Sequence, residues 1–353
     1  MNKRIEALRG KLKELGIDGA FLTSAVSHRY FTKFNNGDGS LLITAKNAYA
    51  FEDFRYIEMA EKLLKGSYTV IRPSGKREKW LGEILQSEGI KRLGFEDLST
   101  SVFAYGQLKA DVEAELVPIG KTVVSMRQVK DEWEIEQIRQ AQAITDKAFS
   151  HILGILSLDM TENDVASELE YFMRKNGAED KSFETISISG AKTSLPHGEP
   201  ENVKLQRGFL TMDFGATVNG YHADMTRTVC LGKADEEMKK LYNTVLQAQL
   251  SALEFLQAGV SSVKADSVAR DIINKEYNGY FGHSLGHSVG LEIHESPVLS
   301  VSQDTVLLPG HVVTVEPGIY IPGKYGVRIE DLVVIRDGGI TNLTVSPKEL
   351  IEI

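Results

Sequence analysis

Cysteine is nearly absent: Cys230 is the only one in 353 residues. A lone cysteine forms no internal disulfide and no cysteine-rich zinc cage. A chain that folds without disulfides fits a reducing compartment, so a cytoplasmic location is expected. A long apolar run is also missing; no stretch approaches the ~18 residues that would mark a membrane span. The N-terminal Met1-Asn2-Lys3-Arg4 is basic, but Ile5 to Lys13 is charged and amphipathic rather than the apolar core of a signal peptide. The chain therefore reads as soluble and unexported. It lacks a basic surplus as well: 40 Lys and Arg stand against 49 Asp and Glu, a net charge of −9. That balance repels phosphate backbones and argues against nucleic acid as the main partner. It would suit a hard cation wherever carboxylates converge. Neither internal repeats nor low-complexity segments occur.

What is present is ordinary globular material, 42% hydrophobic and 25% charged. At about 150 residues per domain the length corresponds to about two domains. The first third alternates helix and strand signals. Ile5, Leu8, Leu12 and Leu15 recur at helical spacing before Gly16, placed as a C-cap glycine. Ala20-Phe21-Leu22, Tyr68 to Ile71 and Leu93-Gly94-Phe95 read as strands. Leu41 to Thr44 and Tyr49 to Phe51 read as a hairpin, and Trp80, Leu81, Ile84 and Leu85 as a helix. This pattern predicts an α/β N-terminal domain over residues 1–125. A long amphipathic helix opening at Glu132 begins a second domain over 126–353. Thr161 and Asp164 predict a capping box for the helix that follows, which ends at Asn176-Gly177. From about residue 183 the texture is glycine-rich and predicts strands.

The chemistry-bearing residues lie in this second domain. Phe209 to Gly215 reads as a strand carrying Asp213, and Tyr221 to Val229 as its return strand carrying Asp224. Asn219-Gly220 supplies the turn. A two-residue loop sets Asp213 opposite Thr226 and makes the two aspartates diagonal neighbours, roughly 7 Å apart. Two carboxylates so placed repel unless a cation lies between them; the plainer alternative is a solvated pair. Next, His283, His287 and His294 fall within twelve residues, punctuated by Gly282, Gly286 and Gly290. Glycine at that density implies backbone packed closely against something. Glu316 and Glu330 then each interrupt an apolar strand pattern, and a glutamate is rarely buried without a partner. Arg328 could pair with one of them, or, sharing a face with Glu330, support the site as a donor. Two Asp, one His and two Glu make a mostly oxygen set able to hold two divalent metals about 3.5–4 Å apart. Mn²⁺ fits such a set best, with Co²⁺ and Zn²⁺ as replacements.

At these residues the sequence resembles the pita-bread metallopeptidases of the prolidase and aminopeptidase P branch. Asp213, Asp224, His287, Glu316 and Glu330 follow one another at gaps of 11, 63, 29 and 14. Their contexts, Met212-Asp213-Phe214-Gly215, Asp224-Met225-Thr226-Arg227-Thr228, Val315-Glu316-Pro317-Gly318 and Arg328-Ile329-Glu330-Asp331, match the family's metal ligands in type and order. The resemblance extends over the N-terminal third, including Tyr30-Phe31-Thr32 and Asp53-Phe54-Arg55-Tyr56. It implies an α+β pita-bread catalytic domain and a dinuclear Xaa-Pro peptidase acting on short proline-containing peptides. By the same resemblance Glu316 moves the proton, His294 and His197 donate to the oxyanion, and His283 shapes the pocket. It implies a homodimer pairing through the N-terminal domain, with the polar, glycine-rich loop Phe34 to Gly39 suited to a lid. His28, His151, His222 and His311 match nothing in the family and are expected to pack or face solvent. Dipeptide-specific relatives often carry an arginine shortly after the His-Glu pair, where this chain has Val298; longer substrates are therefore open. Two other readings are a catalytically silent peptide binder, whose mark would be a lost ligand, and a creatinase-like C–N hydrolase, which would need no metal. All five ligand positions are retained.

Overall fold

The structure, a computed structural model, describes residues 3–34 and 38–353. The chain divides into two compact units, Met1–Arg127 and Gln128–Ile353.

In the first unit six strands form one mixed sheet. Their spatial order is Thr69–Ile71, Ala48–Phe51, Ser40–Thr44, Gly19–Leu22, Arg92–Phe95 and Glu115–Pro118. The predicted hairpin is there, antiparallel, with Ile43 opposite Ala48. Outer pairings are parallel, and helices such as Arg77–Glu88 and Val102–Asp111 make the returns that parallel strands require. Phe21, Phe51, Leu81, Leu85 and Leu93 fill the core between sheet and helices. The first helix, Lys3–Glu14, buries Ile5, Leu8 and Leu12. Leu15 departs from the expected stripe: the helix has ended, Gly16 turns the chain at φ +63°, and the Leu15 side chain is 49% exposed. His28 is a packing residue, buried with its Nε2 2.6 Å from Glu52 Oε1. Residues 35–37 of the loop expected as a lid lie outside the described residues.

The second unit repeats one arrangement twice, a pair of helices laid on an antiparallel sheet, which is the pita-bread architecture. In the first half Glu132–Leu153 and Glu162–Lys175 pack on the strands Met225–Leu231, Gly208–Phe214 and Ile186–Ser189. Both helices begin in capping boxes, Asp131 with Glu134 and Thr161 with Asp164. In the second half Glu236–Phe255 and Ser262–Tyr277 cover a five-stranded sheet that includes Gly286–Ser288, Val312–Val315 and Asp331–Arg336. The stretch after residue 183 is strand-rich as expected, and these two helices are an addition to it that the sequence reading did not name. Met238, Leu241, Val245, Ala248 and Ala252 recur at helical spacing behind the N-cap Asp235, and Ser261 caps the second helix. Cys230 is fully buried in this half's core. Among the described residues no helix is long and apolar enough to cross a membrane.

Strand alternation decides what faces the site. Along Gly208–Phe214, Leu210, Met212 and Phe214 pack with the first helix pair. Period-2 geometry therefore turns Thr211 and Asp213 to the opposite face. There Thr211 Oγ1 lies 3.1 Å from Thr228 Oγ1 on the neighbouring strand.

Candidate metal centre

Two hairpins supply four carboxylates. In the first, Asn219 and Gly220 both take positive φ, +48° and +74°, as a two-residue turn of type I′ requires. Val218 pairs with Tyr221 next to the turn, and the same register continues to Thr226 opposite Asp213. The pairing is the one the turn predicts. At the intervening Gly215 an added Cβ would lie 1.9 Å from the Ala223 carbonyl oxygen, so only glycine lets the strands cross there. In the second hairpin Val315 pairs with Asp331 and Gly318 with Arg328. Glu316 and Glu330 occupy the gap between these two paired stretches and stand opposite one another. Sequence periodicity puts them inside strands; the structure puts them at a break in pairing, where a side chain is free of the flanking ladder.

The imidazole arrives on the short strand Gly286–Ser288. Here the expected close packing is real at Gly286, where a Cβ would meet the Thr314 carbonyl oxygen at 2.0 Å, and at Gly290, which packs on Glu295. Gly282 has nothing within 4 Å. His287 Nδ1 donates to the Ser288 carbonyl at 3.2 Å, so the Nε2 lone pair is left to face the acids. That Nε2 is 3.5 Å from Asp224 Oδ2 and 3.4 Å from Glu316 Oε1. Asp224, His287 and Glu330 each offer a ligand atom, all within 4.8 Å of one another. Glu316 joins this group through His287, and Thr314 Oγ1 donates to its Oε1 at 3.0 Å.

Asp213 is held differently. Its Oδ2 accepts from Arg328 Nη2 at 2.6 Å, while Oδ1 is buried with no hydrogen-bond partner. Arg328 thus pairs with an aspartate and with neither glutamate. Its Nε donates to Thr226 Oγ1 at 2.9 Å, and that hydroxyl donates to Glu330 Oε2 at 2.8 Å. Its Nη1 reaches the Tyr320 hydroxyl and the Pro196 carbonyl. Tyr320 and Thr226 were not singled out as site residues from sequence. The available signals for Tyr320 are Gly318 and Gly326, where a Cβ would come within 2.5 Å of its hydroxyl and 2.8 Å of its ring, respectively.

The remaining histidines fall into two kinds. His283 is half-buried; its Nδ1 donates to the Ser284 carbonyl and its Nε2 accepts from Tyr320. Burial, then the Arg328 charge, pulls it down to about 4, so it is neutral at pH 7. His294 is exposed and stands edge-to-face with His287, ring centroids 4.5 Å apart. His197 is exposed next to Pro196.

Electrostatically the group is under-compensated. Burial, with the Asp213 and Glu316 charges behind it, raises Asp224 well above the usual carboxylate range. Burial and the charges of Asp224, Glu316 and Asp213 do the same to Glu330. Glu316 is pushed up to about 8, chiefly by burial. His287 is pulled down to about 4 by burial and by His294. Buried acids whose ionisation is disfavoured, an orphaned carboxylate oxygen and an imidazole lone pair aimed among them match what a divalent cation needs.

Fold and site together define a metallopeptidase of pita-bread architecture with a preceding α/β domain. The profile of metallopeptidase family M24 matches residues 136–337, and that of the creatinase/prolidase N-terminal domain matches residues 4–129. The chain is 38% identical to an Xaa-Pro dipeptidase of Pyrococcus furiosus, over 99% of this chain and 100% of that one. Among solved structures, an Xaa-Pro dipeptidase from Bacillus anthracis superposes with a TM-score of 0.96 at 43% identity, covering 99% of both chains. An X-Pro aminopeptidase from Thermotoga maritima superposes with a TM-score of 0.92 at 36% identity, covering 97% of this chain and 100% of that one. The chain belongs to metallopeptidase family M24.

Proposed function

We propose that the protein is a dinuclear Xaa-Pro peptidase, cleaving the bond between an N-terminal residue and a following proline in short peptides. The convergence of Asp224, His287 and Glu330, with Glu316 and Asp213 at its edge, is the observation that carries this reading. The relatives' printed activities supply the substrate class. Asp213, Asp224, His287, Glu316 and Glu330 would hold two divalent cations, Mn²⁺ by preference and Co²⁺ or Zn²⁺ as alternatives. When bound, such ions supply Lewis-acid polarisation and an acidified water near neutral pH.

The chain's own groups do the rest. Glu316 accepts the attacking water's proton and returns it to the prolyl nitrogen, a poor leaving group unless protonated. His294, edge-to-face with His287, and His197 are both exposed and would donate to the oxyanion. His283 cannot give a proton through Nε2, which is occupied by Tyr320; it frames the substrate pocket as a neutral ring. Residues 1–125 form the N-terminal domain and 126–353 the catalytic one, in a cytoplasmic homodimer. Val298, where dipeptidases often have arginine, leaves a dipeptide's free carboxylate without that cation, so tripeptides are accepted too. Hydrolysis of Xaa-Pro and Xaa-Pro-Xaa peptides with Mn²⁺, beside Xaa-Ala controls, tests the reading. Release of the N-terminal residue from the proline peptides alone is expected, and no cleavage of either would overturn it. Light scattering at assay concentration tests the dimer; a fully active monomer would contradict it.

A further inference from the structure

The ammonium of Lys130 is buried, its side chain 1% exposed, and far from it in sequence lie two of its partners. Nζ donates to Ser288 Oγ at 2.8 Å and to Glu295 Oε2 at 3.1 Å, with the Gln128 carbonyl at 3.3 Å. Ser288 directly follows His287 and Glu295 directly follows His294. Ser288 and Glu295 are also cross-strand partners, on the far side of an irregularity in the hairpin. His287 pairs with Val298, yet its neighbour Ser288 pairs with Glu295. The turn segment that closes this hairpin, with Gly290 packed on the Glu295 carboxylate and Glu292 N–H donating to Glu295 Oε1 at 3.3 Å, presents His294.

A bulged hairpin with a glycine-rich turn specifies its register weakly, and a slip of one residue turns every side chain to the other face. A buried ion pair contributes little net stability, because desolvation offsets the attraction; its best-attested use is to fix a register. Lys130 is itself well anchored. It precedes the N-cap Asp131 of the helix Glu132–Leu153, and its backbone N–H donates to the Gly310 carbonyl at 2.9 Å.

We propose that Lys130 is a positioning residue of the catalytic unit: by clasping Ser288 and Glu295 beyond the bulge, it fixes the relative placement of the His287 and His294 rings. It touches no substrate and works through the two histidines. The inference rests on the proposed roles of those residues, and its test separates the two.

The charge-neutral pair variant Lys130→Met/Glu295→Gln removes both charges of the clasp together, and Lys130→Met alone serves as the comparison. The first readout needs no turnover: Co²⁺ is loaded, followed by its visible absorption, and withdrawn by a chelator. Release about tenfold faster from the pair variant, with a cooperative melt retained, is expected. The second readout is kcat and KM on an Xaa-Pro dipeptide. A kcat loss of about tenfold with KM within about twofold is expected, shrinking to under about twofold when the pair variant is made in a His294→Ala background. Wild-type Co²⁺ release together with wild-type kcat overturns the clasp, as does wild-type Co²⁺ release with a kcat loss that is fully additive with His294→Ala. If His294→Ala alone leaves kcat intact, the donor role of His294 falls, and the Co²⁺ release rate, read through His287, still decides the clasp.

Discussion

Arg328 and Asp213 form a one-sided pair: the guanidinium takes Oδ2 at 2.6 Å and leaves Oδ1 buried and unpartnered. One carboxylate thus has one oxygen held by a permanent cation and the other buried with no hydrogen-bond donor. The same guanidinium, through Thr226, touches the carboxylate of Glu330. It steadies two of the acids without filling the space between them.

Arg328→Met should therefore lower the stability of the metal-free protein by about 3–5 kcal/mol, the usual cost of stranding one partner of a buried pair. Saturating Mn²⁺ should recover a larger share of the melting temperature in this variant than it adds to the wild type, because the cation replaces the lost positive charge. Differential scanning fluorimetry with and without Mn²⁺ measures both. An Arg328→Met protein that melts with the wild type in chelator contradicts the pairing.

Asp224→Asn should have opposite effects on stability and function. It relieves repulsion among buried acids, so the metal-free variant melts at or above the wild-type temperature. It also removes a proposed metal ligand, so Mn²⁺ affinity and turnover should fall severely, by about 10²-fold or more. A variant with lower metal-free stability and unchanged turnover would show that Asp224 is an ordinary structural acid.

Much of this was legible in the sequence, and the parts that were not have definite reasons. The Asn219-Gly220 turn fixes its hairpin's register by local geometry alone, so Asp213 opposite Thr226 follows from counting. Glu316 and Glu330 are visible as misfits in apolar strands. Their standing opposite each other at a pairing break is not, because it depends on two strands that meet only in the fold. Arg328 was readable as a supporting donor; its choice of Asp213 over the glutamates is set by tertiary packing across separate hairpins. The two helices after residue 235 were hidden by the glycine content around them, although their caps and apolar spacing are plain. Lys130 gave no signal, since Ser288 and Glu295, which its ammonium holds, lie more than 150 residues away.

The pH dependence of the metal-free protein follows from the shifted groups. Glu316 titrates near 8 in the fold against a usual 4.5, and Asp224 and Glu330 are also raised. Stability from raised acids is complete below their unfolded values and is lost as pH rises through the folded ones. His283, His287 and His311 sit near 4 against a usual 6.5. Their neutral burial favours folding above 6.5 and is lost as pH falls toward 4. Between about pH 4.5 and 6.5 the three acids' loss and the three histidines' gain offset, so metal-free stability should change little there and then decline from 6.5 toward 8.5. Mn²⁺ should abolish the alkaline decline, because ligand acids bound to a cation stay ionised. Thermal melts from pH 4.5 to 8.5 check this; stability rising steadily from 6.5 to 8.5 without metal would contradict it.

His294→Ala and His197→Ala should each reduce kcat by about 10²–10³-fold, the typical worth of one oxyanion donor. Metal content should stay at the wild-type value, since neither belongs to the carboxylate–imidazole group. Steady-state kinetics beside elemental analysis separates the roles. Loss of metal from either variant would make that histidine a ligand.

Metal stoichiometry tests the central claim most directly. Protein stripped with chelator, titrated with Mn²⁺ by calorimetry and checked by elemental analysis at saturation, should bind two ions per chain, with Xaa-Pro hydrolysis returning as they bind. One ion or none at saturation, or full hydrolysis by the stripped protein, would contradict the dinuclear account.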